Sequence, residues 1–130
     1  MIAIVGTEAG TFAVDLDDGE VWPWDGDVEP APELELNLPR VVAAAAAGPI
    51  VIAVVDARPP MLISHDTGST WRESGRGLPA GRAVAVSESD PDTAVYAARN
   101  RLYLTRDGGV FWAALAVELP EIRSVELTAG

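Results

Sequence analysis

Short apolar runs separated by clusters of Gly, Pro, Asp and Ser fill the chain from end to end. Runs of this length, rich in Val, Ile and Ala and bounded by turn residues, predict strands rather than helices. Residues 1–6 and 11–16 form the first two, and residues 20–24 the third. An acidic, Pro-rich stretch follows over residues 23–33 and reads as an exposed loop. Residues 34–38 alternate Leu with polar residues, which predicts a short strand. Val41–Ala47 is almost pure Val and Ala. Its five consecutive alanines favour a helix, but the matching place later in the chain, residues 82–86, alternates Ala with Val. A strand is therefore expected. Ile50–Val55, Met61–Ser64 and residues 70–74 complete that group. Residues 83–87, Ala94–Ala97, Leu102–Thr105 and residues 110–117 form the next, and Ile122–Thr128 remains as a last strand.

These runs repeat. Asp66 and Asp107 are 41 positions apart, and each is followed by Gly two residues later and Trp five residues later. A looser copy begins at Asp17, 49 positions before Asp66. A second landmark is the dipeptide Leu-Pro, with Pro79 and Pro120 each 13 positions after the Asp of their unit. Pro39 comes 22 positions after Asp17, so the first unit carries an insertion, placed at residues 23–33. A period near 40 residues marks an array of similar supersecondary units.

The turn residues have a physical logic. An Asp carboxylate can fold back onto backbone N–H groups, Gly can take a positive φ, and Trp can bury a ring that anchors the turn. Ser64, Asp66, Gly68, Thr70 and Trp71 make one such set. Thr105, Asp107, Gly109 and Trp112 make the second, with Phe111 where Thr70 stands. Asp17, Gly19 and Trp22 make the third, with Asp15 in place of the Ser or Thr. The pattern resembles the Asp-box, or BNR repeat, of sialidase-like, sortilin-like and xyloglucanase-like β-propellers. The text from Gly77-Leu78-Pro79 through Asp90-Pro91-Asp92-Thr93 to Leu102-Tyr103 is similar to the linkers of the xyloglucanase-like group. The resemblance implies an all-β fold of four-stranded propeller blades, with each box on the turn between a blade's third and fourth strands. It also implies that the box residues are structural.

In that register the chain holds three blades. Residues 1–39 form an N-terminal blade lacking its first strand, residues 40–79 a second and residues 80–120 a third. Residues 121–130 supply a first strand with no blade after it. Known propellers need four or more blades to close, so three blades are expected to close by association. The strand at 121–130 is expected to complete the N-terminal blade of a partner chain, giving a six-bladed homodimer, with a nine-bladed homotrimer second.

Composition removes several functions. Nine Arg, no Lys and twenty acidic residues give a net charge of −11. Binding to nucleic acid draws its affinity from basic groups on phosphate, so neither nucleic acid nor an anionic membrane is an expected partner. The absence of Cys removes disulfides and thiolate sites. The start of the chain shows no secretory signal, and the apolar residues 41–55 are interrupted by Gly48-Pro49 and fall short of the roughly 20 a membrane helix needs. A cytoplasmic location is expected, with no cofactor.

The candidate sites are few. The lone His65 cannot make a zinc site by itself. Asp15, Asp17, Asp18, Asp25 and Asp27 offer oxygens of the kind Ca²⁺ takes, but without the spacing of a known loop they read as a solvated acidic face, and no metal is expected. Arg58, Arg99, Asn100 and Arg101 fall between the second and third strands of two units. In the propellers that the chain resembles, that turn lies near the mouth where ligands bind. An anionic small molecule or a glycan is the expected ligand there; ordinary polar turn residues are the plainer reading. Sialidase-type or xyloglucanase-type hydrolysis is the enzymatic alternative, yet neither Tyr96, Tyr103 nor any pair of carboxylates matches those catalytic sets. No catalytic residue is assigned, and a non-enzymatic binding or scaffold module leads. A relic of a larger propeller is the third reading.

Overall fold

In the computed structural model, residues 1–26 and 34–128 are described. They are all-β, with twelve strands in three four-stranded antiparallel sheets. The strands are β1 (Ile2–Thr7), β2 (Gly10–Asp15), β3 (Val21–Pro23), β4 (Val41–Ala47), β5 (Ile50–Val55), β6 (Met61–Ser64), β7 (Arg72–Ser74), β8 (Ala83–Val86), β9 (Ala94–Ala97), β10 (Leu102–Thr105), β11 (Ala113–Ala114) and β12 (Ile122–Thr128). Two sheets run in simple sequence order, β4-β5-β6-β7 and β8-β9-β10-β11. The third is β12-β1-β2-β3. Each has the up-and-down topology of a propeller blade. No described helix is long and apolar enough to cross a membrane.

The last strand closes the first blade within one chain. β12 pairs antiparallel with β1 from Ile2 opposite Thr128 to Thr7 opposite Ile122, with a bulge between Gly6 and Thr7. Within the chain, β12 thus supplies the first strand that residues 1–39 lack.

β8 packs between β4 and β12, so the first strands of the three blades lie side by side. Period-two alternation then divides β8 between two cores. Ala83 and Ala85 face Ala3, Val5, Val14 and Val125. Val84 and Val86 face Ile52, Val54, Met61 and Ile63. The middle blade is covered on both faces, whereas each outer blade packs on it by one face. Tyr96 is the largest fully buried side chain. Its hydroxyl donates to the Pro79 carbonyl at 2.6 Å, and burial pushes its pKa up to about 12.

Several elements differ from expectation. Val41–Ala47 is a strand because Val41 and each residue from Ala43 to Ala47 stand opposite a residue of β5; that sheet pairing outweighs the helical preference of alanine. The strand expected over residues 110–117 shrinks to Ala113–Ala114. Consecutive positive φ at Gly108 and Gly109 carry Val110 and Phe111 to the surface, where they are 86% and 69% exposed. Residues 34–38 form no strand; Leu34, Leu36 and Leu38 are half-buried without a sheet partner. Most of the expected loop, residues 27–33, lies outside the described residues, as do residues 129–130.

Candidate functional site

Two of the three Asp-Gly-Trp turns are built alike. In the turn after β6, Ser64 Oγ donates to Asp66 Oδ1 at 2.7 Å and accepts from Gly68 N at 2.7 Å. Asp66 Oδ1 also accepts from Thr70 N at 2.8 Å, and Oδ2 from the Thr70 hydroxyl at 2.6 Å. In the turn after β10, Thr105 Oγ1 donates to Asp107 Oδ1 at 2.8 Å and accepts from Gly109 N at 3.0 Å. Asp107 Oδ1 accepts from Phe111 N at 3.1 Å. The side-chain bond that the second turn lacks is the hydroxyl contact of Thr70, which Phe111 cannot make.

Donors gathered on a carboxylate stabilise its charged form. Thr70, through both hydroxyl and backbone, and then Ser64 hold Asp66 down to about 2. The Phe111 backbone, followed by Thr105, lowers Asp107 as well. Both turns use two successive left-handed residues, Thr67 and Gly68 in one, Gly108 and Gly109 in the other. The first of each pair ties the turn to the preceding hairpin: Thr67 N donates to the Pro49 carbonyl and Gly108 N to the Asp92 carbonyl.

The turn after β2 is different. Its backbone is held by Asp15 Oδ1, which accepts from Asp17 N, and Asp18 Oδ1, which accepts from Glu20 N, both at 2.8 Å. Asp17 points away, to Arg106 at 2.9 Å and the terminal amine at 3.4 Å. Only Gly19 is left-handed there, and Trp22 remains 37% exposed. The spacing of Asp17, Gly19 and Trp22 therefore does not reproduce the clasp.

The proposed arginine face is largely neutralised. Arg101 meets Glu118 at 2.9 Å, and Arg99 lies 3.8 Å from Glu121, which also holds Arg82 at 2.9 Å. The Arg99 and Asn100 carbonyls accept from Ile122 N and Leu119 N. This turn thus anchors the segment leading into β12. Arg58 is exposed and has no ion pair among the described residues. No group of three or more His, Cys, Asp or Glu is placed to hold a metal among the described residues.

Cationic groups without a carboxylate partner occur instead in a groove of about 280 Å³ between the second and third blades. One bank is β7 and its flank, with the end of β6 and the turn after it, giving Ile63, His65, Arg72, Ser74 and Arg76; the other is the Gly108–Val110 turn. Neither Arg72 nor Arg76 makes an ion pair among the described residues. Ser74 ties the banks together, its Oγ donating to the Gly109 carbonyl at 2.6 Å and accepting from Trp112 Nε1 at 3.0 Å. Trp112 in turn meets Tyr96 edge-on, centroids 6.1 Å apart. Glu73 is the one carboxylate of the lining, and strand alternation puts it on the opposite face of β7 from Arg72 and Ser74.

Sequence reasoning missed this groove. The available signal was a break in the repeat: 41 positions after Arg72, Ser74 and Arg76 stand Ala113, Leu115 and Val117. The second blade is thus polar where the third is apolar.

No protein-family model matches the chain, and neither does any curated protein sequence. Solved structures do match. YCF48 bound to a D1 peptide is 23% identical, with a TM-score of 0.53 over 91% of this chain and 38% of that one. A GH74 enzyme of Niastella koreensis is 21% identical, with a TM-score of 0.51 over 91% of this chain and 18% of that one. The chain thus spans well under half the length of either. At these identities the likeness concerns the fold alone, and that fold is propeller-like.

Proposed function

We propose that the chain is a half-propeller acting as a non-catalytic binding module, with two copies closing a six-bladed ring. The observation that carries this is the order of the blades: among the described residues each buried core joins the middle blade to one outer blade, and neither core joins the two outer blades to each other. The ends of this row hold exposed apolar side chains, Trp22 at one and Val42 (52% exposed) at the other. Strand register puts Trp22 on the same face of its sheet as Ala13 and Ile4, turned away from the middle blade; Ala13 and Ile4 are buried within the chain, and Trp22 is the exposed apolar side chain beside them. Docking the Trp22 end of one copy on the Val42 end of the next, twice over, gives a closed two-fold assembly. Exchange of β12 is the same pairing made with the other copy's strand.

The Asp66 and Asp107 clasps fit Asp-box turns in a structural role, since their carboxylates are spent on their own backbone. A binding role is supported by the peptide-bound neighbour. The GH74 neighbour motivates hydrolysis as a second reading, but glycoside hydrolysis uses a pair of carboxyl groups across the cleaved bond, and the groove offers Glu73 alone. Light scattering after gel filtration tests the assembly. Two chains of 13.6 kDa each are expected, and Trp22→Glu should shift the mass toward one chain. A single-chain mass for the folded wild type would overturn the ring; a three-chain mass would replace it with nine blades.

A further inference from the structure

We infer that the groove between β7 and the Gly108–Val110 turn is a docking site for an extended, acidic peptide segment. The inference rests on the binding-module reading above and adds to it a place and a ligand chemistry.

Charge is the first argument. Among the described residues, five ion pairs involve Arg82, Arg99, Arg101, Arg106 and the terminal amine. Arg40, Arg58, Arg72, Arg76 and Arg123 have no such partner among the described residues, and of these only Arg72 and Arg76 line the groove. These two guanidinium groups, four residues apart, form a local cationic strip in a lining whose one carboxylate is Glu73. Arg is the side chain best shaped to grip a carboxylate with two parallel hydrogen bonds. The overall charge of −11 does not cancel this strip at physiological salt. Charges more than about 8 Å away are largely screened there, while a contacting pair is not.

Shape is the second argument. The groove lies beside β7, the terminal strand of its sheet, and reaches over the sheet face to Ile63 of β6. The outer side of such a strand can accept another extended chain. At about 280 Å³ the space lies at the lower limit of small-molecule pockets, suited to one or two side chains of a longer ligand. The rim continues in Val110 and Phe111, both well exposed, giving apolar contact beside the charges. Ser74 fixes the groove floor through Gly109 and Trp112, so the two banks are pre-set.

Fluorescence anisotropy at about 0.15 M salt with a labelled peptide of alternating Glu and Val tests the inference, against the same peptide with Gln for Glu. The Glu peptide should bind and the Gln peptide should bind at least about tenfold more weakly. Arg72→Ser with Arg76→Ser should weaken the Glu peptide by a similar factor. Arg99→Ser with Arg101→Ser should leave it unchanged. Competition by inorganic phosphate or free glutamate as effective as unlabelled peptide would overturn the peptide assignment. Binding lost in the Arg99/Arg101 variant and kept in the Arg72/Arg76 variant would overturn the location while leaving a binding module. No binding by a folded, dimeric protein would overturn the inference alone, and a monomer that still bound the peptide would overturn the ring alone.

Discussion

The turns at residues 64–71 and 105–112 share a hydrogen-bond clasp and differ in what surrounds them. A Cβ on Gly68 would meet only the Trp71 ring, at 3.6 Å. A Cβ on Gly109 would collide with Ile63 and lie 3.2 Å from Ser74 Oγ, both on the blade before it. The same local sequence logic therefore builds a free-standing turn in one place and a wedge between blades in the other. Local hydrogen bonding shapes the turn; its position in the row of blades decides whether it also joins blades. Among the described residues the second blade shares a buried core with the third blade alone, so it stands at one end of that row.

The largest test of this contrast is Gly109→Ala against Gly68→Ala. Both place a side chain at positive φ, which costs about 1–2 kcal/mol. Only the first adds overpacking against Ile63, for a total of about 2–5 kcal/mol. Urea denaturation should show this gap, and equal losses would mean that the two turns are equally free.

A smaller effect separates the clasped Asp66 from Asp17. Asp66→Ala should lower the melting temperature at pH 7 more than Asp17→Ala, because it removes the acceptor of three turn donors. Its pH dependence has a definite sign. The folded pKa is depressed from 3.8 to about 2, so its contribution is full above the unfolded value and fades as pH falls from near 4 through about 2. Wild type should lose stability across that window faster than Asp66→Ala. Parallel curves would assign the acid sensitivity to other carboxylates.

The smallest effect concerns Thr67, a β-branched residue at φ 60°, where the third blade has Gly108. Relief of the strained backbone is partly offset by the greater freedom glycine gives the unfolded chain. Thr67→Gly should be neutral or stabilising by up to about 1 kcal/mol, and clear destabilisation would show that Thr67 packs more than its turn reveals.

Much of the blade architecture was legible because it rests on period. The spacing of Asp, Gly, Trp and Leu-Pro placed the strands of two blades, and the unpaired strand at residues 121–130 pointed to the incomplete first blade. Whether β12 pairs within or between chains is a matter of three-dimensional reach, which spacing does not encode. Val110 and Phe111 read as strand because hydrophobicity was taken for burial, and the two glycines before them decide otherwise. Asp17 fitted the spacing, but with Asp15 in place of a hydroxyl the turn folds around other carboxylates. The arginines were grouped by loop equivalence, and the structure distributes them by available partners. Glu118 and Glu121 take Arg101 and Arg99, while Arg72 and Arg76, without an ion pair among the described residues, come together in the groove.

The pairing of β1 with β12 also sets an order of folding. Ile2 and Thr128 are neighbours across a sheet, yet almost the whole chain separates them. The second and third blades can form from local hairpins, each strand beside the next in sequence, at low loop-closure cost. The first blade cannot finish that way. During synthesis β1, with Ala3, Val5 and their apolar neighbours, emerges well before β12 and must wait for it. Long-range closure of this kind slows folding and leaves an unsatisfied strand edge exposed in the meantime. Moving the chain break to the loop before β4, with β12 linked directly to β1, would place all twelve strands in spatial order and remove that wait.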